Sequence, residues 1–187
     1  MLFAVALARG RAASAGAREG RAFHPGDANR QAQNTRVSAT NWVLDTRSMA
    51  EIRTARIKDV DAILAIDSES LGRAEDIASL VRSECSLLAV EGATVVGFAG
   101  VRPRHFYGRD FLDLLFVGYV YRRQGVGRSL VRDVVERGTT TRVFTSTNES
   151  NTAMRSLLAS EGWHRSGVLV GLDEGDPEHV FFRDKER

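Results

Sequence analysis

The chain of 187 residues has the length of one domain plus a tail, and 43% hydrophobic with 27% charged residues is the composition of an ordinary globular chain, not a disordered or fibrous one. One cysteine, Cys85, excludes an internal disulfide framework and a cysteine-based zinc site, and the four histidines show no metal-ligand spacing, so no metal is expected. The longest apolar runs, Leu2–Ala8 and Phe111–Val117 (broken by Asp113), are too short to cross a bilayer as helices, and no membrane partner is expected.

Charge divides the chain. Residues 1–48 carry seven arginines against three acids, whereas the remainder carries 19 bases against 21 acids. A nucleic-acid groove needs clustered positive charge on the folded part, so no nucleic-acid partner is expected. Residues 1–48 show no sustained helical or strand period, which is the composition of a disordered tail. Their arginine-rich, acid-poor start also resembles a targeting segment. Met49, followed at once by AEIRTARIKDVDAIL, reads instead as a natural start, with 1–48 an upstream extension and a cytoplasmic domain over 49–187.

From Met49 strand and helix patterns alternate. Glu51–Ala55 reads as a strand, and Ile57–Ser70 as a helix with Val60, Ile63 and Leu64 at helical spacing. Ala74–Glu84 follows as a helix with Ile77, Leu80 and Val81 on one face. Ser86–Val90 and Thr94–Val101 flank Glu91-Gly92, a hairpin signal, and Asp110–Tyr119 is a strongly apolar strand. Gly125–Arg137 is a helix, Thr141–Ser146 a strand and Asn151–Glu161 a helix stopped by Gly162. Trp163–Leu172 and Glu178–Arg183 close the chain as a strand pair. This order gives a mixed three-layer α/β domain.

The most informative stretch runs from Tyr119 to Leu130, leaving a buried strand and entering a helix with Val126, Leu130 and Val134 on one stripe. A helix start exposes amide N–H groups that need partners, and no Ser, Thr, Asp or Asn stands just before Gly125 to cap them. Gly125 and Gly127 leave the backbone bare, while Arg122, Arg123 and Arg128 add positive charge. Such a turn suits a phosphate or pyrophosphate held by amides and the helix dipole; a tight turn with solvent-facing arginines is the plainer alternative. The Walker loop is excluded because no lysine is present, and the dinucleotide fingerprint fails at Leu130.

RxxGxG from Arg122 through Gly125 to Gly127, placed after the strand LLFV, resembles the acetyl-CoA pyrophosphate motif of the GNAT superfamily of N-acetyltransferases. Asn151-x-x-Met154-x-x-Leu157-Leu158-x-x-x-Gly162-Trp163 is similar to that family's NxxAxxLYxxxGF segment. The resemblance spans about residues 50–185. It implies a fold whose central strand splays from strand Thr141–Ser146, with acetyl-CoA as co-substrate in the opening. It implies that Val117, Gly118 and Tyr119 hydrogen-bond the pantetheine arm through their backbone. Arg122, Arg123, Gln124, Gly125, Val126, Gly127, Arg128 and Ser129 would bind the pyrophosphate, and Asn151 would contact the cofactor from the following helix. The chain departs from the family pattern at Tyr119, where proline is common, and at Leu158, where a tyrosine often protonates the leaving thiolate. A thiolate of pKa about 8.5 needs little help to leave at neutral pH, so the second departure need not abolish transfer; a silent acetyl-CoA-binding sensor is the alternative reading.

Transfer to a primary amine by direct attack in a ternary complex needs a base for the acceptor proton. Asp113 is the candidate, since by strict strand alternation it shares a face with Phe111, Leu115 and Val117; the plainer alternative is that it points to solvent or accepts structural hydrogen bonds. Cys85 lacks a sequence partner and reads as a small core filler. The acceptor, a small molecule or a peptide amine, is expected to meet Asp67, Glu69, His105, Phe106 and Tyr107. Asp173, Glu174, Asp176 and Glu178 gather at the last turn, where they either steer a cationic amine or simply keep the turn polar. The reading allows a homodimer.

Overall fold

The computed structural model describes residues 50–66 and 72–186. Seven strands form one sheet in the order β1-β2-β3-β4-β5-β7-β6: β1 Glu51–Thr54, β2 Leu87–Glu91, β3 Thr94–Phe106, β4 Arg109–Val117, β5 Arg142–Asn148, β6 His164–Leu169 and β7 Glu178–Asp184. Neighbours are antiparallel except β4 and β5, which run parallel across the centre. The helices are α1 Val60–Leu64, α2 Ala74–Arg82, α3 Val126–Arg137 and α4 Thr152–Ser160. None is long and apolar enough to cross a membrane among the described residues.

Two cores make the three layers. On one face Ile63 of α1 and Ile77, Leu80 and Val81 of α2 meet Leu88, Phe98, Leu114 and Phe116. On the other, Leu130, Val131, Val134 and Val135 of α3 and Met154 and Leu158 of α4 cover Leu112, Leu115, Val117, Val143 and Phe181. The i, i+3, i+4 apolar spacing of α2 and α3 produces these buried stripes. The mixed three-layer α/β architecture expected from the element order is the observed one.

Several boundaries differ from expectation. The first helix is a single 3-10 turn, Ile57–Asp59, running into the five-residue α1. Asp59 anchors that turn by accepting from Arg53 and from the Arg56 amide, 2.8–2.9 Å. The segment expected to continue the helix, with Asp67 and Glu69, lies outside the described residues, as do residues 1–48 and Met49. β3 runs five residues beyond Val101, through Pro103, to a turn at Tyr107 and Gly108 with φ 50° and 75°.

The β4–β5 ladder has only three rungs, Asp110↔Val143, Phe111↔Phe144 and Leu112↔Thr145. Beyond Leu112 the two strands part, and β5 continues to Asn148 on β7 alone. The parting coincides with a bulge. Across from β4 the register slips between Gly100 and Val101, which pair with Leu114 and Leu112, so Asp113 is the extra residue. A bulge bends its strand and increases local twist, turning the second half of β4 away from β5.

Candidate active site

The opening between β4 and β5 is bordered by the end of β4 and the first turn of α3. After Val117, Gly118 donates its N–H back to the Val96 carbonyl at 2.9 Å, and Tyr119–Tyr121 form a 3-10 turn. Arg122 donates from Nε to the Val117 carbonyl at 3.0 Å and lies 5.5 Å from the centre of the Tyr119 ring. Gln124 donates to the Val120 carbonyl at 2.7 Å, and Arg123 is exposed at φ 62°. The loop is thus tied by its own side chains.

Gly125 precedes α3 with φ 90°, a left-handed conformation open to glycine at little cost. No side chain caps the helix start. A Cβ on Gly125 would meet no atom within 4 Å, and one on Gly127 would reach only ordinary contact, 3.4 Å from Leu157 Cδ2 and 3.6 Å from Val117 Cγ2. The bare backbone at Gly127 therefore answers no clash inside the chain. Uncapped amides, the positive end of the helix dipole and exposed Arg123 fit a phosphate-bearing ligand.

The remaining expected cofactor residues divide. Val126 is buried on the core stripe, while Ser129 is half-buried and gives its amide to the Gly125 carbonyl at 3.0 Å. Arg128 turns along the helix, with Nε 2.8 Å from Glu161 Oε1. Glu161, at the C-terminal cap of α4, is buried and also meets Arg132 and Arg183. An acidic residue at a helix C-terminus opposes the dipole, the one sequence signal that could have marked this cluster. Asn151 caps α4, its side chain accepting from the Met154 amide at 3.1 Å. Leu158 is fully buried within the α3–α4 core.

Asp113 is 7% exposed, and its Oδ2 accepts from Arg102 Nε at 2.8 Å. Arg102 in turn lies 3.9 Å from Asp76 of α2. The bulge has changed the parity: Leu112, Leu115 and Val117 belong to the α3 core, while Asp113 faces the α2 side with its arginine. Asp113 therefore does not share a face with Leu115 and Val117. His105, Phe106 and Tyr107 sit at the β3–β4 turn, the end of β4 remote from Val117. Cys85 packs half-buried against the core, and burial pushes its thiol pKa up, the opposite of an activated nucleophile.

The acidic cluster latches onto the far end of β5. Asp173 accepts from Asn148 Nδ2 at 2.7 Å, and Asp176 accepts from the Ser150 amide at 2.9 Å and its hydroxyl at 2.6 Å. Glu178, 1% exposed, shares a rung with Asn148. Burial, followed by the nearby Asp173 and Asp176 charges, raises its pKa against the opposing effect of Ser146. Four buried side-chain polar atoms among the described residues have no hydrogen-bond partner, and three lie on two adjacent rungs: Thr147 Oγ1, His179 Nδ1 and Glu178 Oε1. Native buried polar atoms are nearly always satisfied; Thr147 and His179 share one face of this end of the ladder and Glu178 lies on the other. Sequence reasoning placed Glu178 in an acidic turn and missed its burial; Thr147 and His179 carried no signal.

Residues 54–163 match the model of the acetyltransferase (GNAT) family. A GNAT-family acetyltransferase structure from Bacillus cereus ATCC 10987 is 33% identical, with TM-score 0.70 over 75% of this chain and all of that one. An acetyltransferase fold from Salmonella typhimurium, solved with its cofactor acetyl-CoA, shares 16% identity and TM-score 0.62 over 74% of this chain and 95% of its own. A ribosomal-protein-alanine N-acetyltransferase from Brucella melitensis shares 22% and TM-score 0.60 over 72% and 99%. No curated protein matches this chain in sequence. With the expected motifs seated at a splayed β4–β5 junction, the chain belongs to the GNAT family of acetyltransferases and is an acyltransferase.

Proposed function

We propose that residues 49–187 form one catalytic domain that transfers the acetyl group of acetyl-CoA to a primary amine, by direct attack in a ternary complex. The observation that carries this reading is the uncapped start of α3 behind left-handed Gly125, beside the opening between β4 and β5. The pyrophosphate would be held by the amides of Gly125 to Ser129 with Arg122, Arg123 and Gln124 around them. The pantetheine would follow the backbone of Val117 to Tyr119, and Asn151 would border the site from the cap of α4. Bound acetyl-CoA supplies an activated thioester; the chain supplies orientation, exclusion of water and a path for the acceptor's proton.

The one cysteine, Cys85, is half-buried with a raised thiol pKa and is not an activated nucleophile for a covalent acyl-enzyme. Leu158 offers no proton to the leaving thiolate, so that proton would come from solvent or from the attacking nitrogen. The buried Leu158 also suits a silent sensor, which would bind acetyl-CoA without releasing thiol.

A thermal shift of the full chain with and without acetyl-CoA, beside an Arg123→Glu, Gly127→Glu double variant, tests the reading. At a hundred times its Kd, a ligand adds about 2.7 kcal/mol of stability. A shift in the wild type alone, together with thiol release when amines are added, is the expected result. No shift at millimolar cofactor overturns the cofactor site, and a shift without thiol release for any amine favours the sensor.

A further inference from the structure

We propose that Glu178 is the catalytic carboxylate that takes the proton of a cationic acceptor amine, received where β5 leaves β4 and runs on beside β7. This deepens the amine-acetylation reading above and rests on it. The ladder from β4 ends at Thr145, and the next residue, Ser146, lies on the same face of the β5–β7 ladder as Glu178. Glu178 shares its rung with Asn148, on the stretch of β5 that continues past the end of the β4 ladder. It also lies on the opposite face of β7 from Phe181 and the α3 core.

Its second oxygen, Oε1, is buried without a partner. A carboxylate in that state lacks a donor, and an ammonium group has three. The charged groups acting on it, Asp173 and Asp176 in the preceding turn, are both acidic. A cation is therefore the ligand this corner attracts. Asp113, by contrast, already has its guanidinium partner.

The balance is simple. The ammonium gives one proton to Glu178 and becomes a neutral amine. Its lone pair forms the C–N bond to the thioester carbonyl, and the C–S bond breaks as the tetrahedral intermediate collapses. The second nitrogen proton is lost to the departing thiolate, and Glu178 returns its own proton to solvent. The burial-raised pKa brings this base nearer neutrality, where general bases work best.

Full-length wild type, Glu178→Gln and Glu178→Asp would be compared with 1,3-diaminopropane as the cationic probe and 1,3-propanediol as its uncharged counterpart. The protonated carboxyl of Glu178 is read as the infrared C=O band lost in Glu178→Gln. Diamine, and not diol, is expected to lower the pH at which that band disappears; an unmoved midpoint overturns the proposal. In acetyl-CoA turnover, Glu178→Gln is expected to lose about a hundredfold in kcat/KM and the acidic limb of the pH profile, with Glu178→Asp restoring part of both. An active Glu178→Gln with an unchanged limb overturns it. The acetyl-CoA thermal shift should be equal in all three proteins. Its absence from the wild type would sink the cofactor reading instead, and the infrared midpoint would still decide the role of Glu178.

Discussion

Thr145 donates its hydroxyl to the Leu112 carbonyl at 2.9 Å on the last rung that joins β4 to β5. The next residue of β4 is the bulged Asp113, so this bond closes the ladder where the strands separate. Thr145→Val keeps the shape and removes the donor, leaving the buried carbonyl short of a partner. The expected cost is about 1–3 kcal/mol, read as a lower midpoint in urea at unchanged slope.

The two glycines at the start of α3 should respond differently to alanine. Gly125→Ala forces a side chain into the left-handed region at φ 90° and should cost about 1–2 kcal/mol of stability. Gly127→Ala meets only ordinary contacts and should leave stability unchanged, or raise it by up to about 1 kcal/mol. Its Cβ would nonetheless stand over the amides offered to the pyrophosphate. Calorimetry should show acetyl-CoA binding weakened by at least about tenfold, or 1.4 kcal/mol. Unchanged affinity would remove Gly127 from the cofactor site.

Glu161 joins the end of α4 to Arg128 and Arg132 of α3 and Arg183 of β7. Its side chain is almost wholly buried, whereas Arg128 and Arg132 are about half exposed and can be rehydrated when it is lost. Glu161→Gln should therefore cost about 1–3 kcal/mol, less than breaking a pair buried on both sides. It also releases Arg128 within the first turn of α3, so acetyl-CoA affinity should rise at low salt even as thermal stability falls. A parallel loss of both would show that the cluster acts on the site through stability alone.

Stability should also report on Glu178. Burial raises its pKa in the folded chain above the ordinary 4.5, so the folded state holds the proton to higher pH than the unfolded state. Stability from this group is complete below the ordinary value and is lost as pH rises through the folded value. Glu178→Gln abolishes that slope. The variant should melt above wild type at pH 8, and the gap should close on acidification. A gap independent of pH would mean that the carboxyl is not destabilised by its burial.

Helices α2 and α3 and the bare turn before α3 were legible because their signals are local. Ile77, Leu80 and Val81, or Leu130 and Val134, lie one helical turn apart, and a 3.6-residue period is visible in a short window. The missing cap before Val126 is likewise a matter of adjacent residues. The face taken by Asp113 was not legible, for the opposite reason. One inserted residue reverses strand parity, and the slip is set by pairing with Gly100 and Val101 on a neighbouring strand. The engagement of Arg128 by Glu161 joins residues on different helices and has no local pattern.

The amino-acid sequence by itself determined the alternation of strands and helices and the bare amides at the start of α3, since each depends on neighbours within one or two turns. Tertiary structure alone decided where β4 leaves β5, which face Asp113 takes and which carboxylate is buried without a partner. Those properties arise when strands distant along the chain align: Leu112 with Thr145, and Asn148 with Glu178. Burial and the loss of water then set the chemistry of a side chain that looks, in sequence, like one more acid in a polar turn.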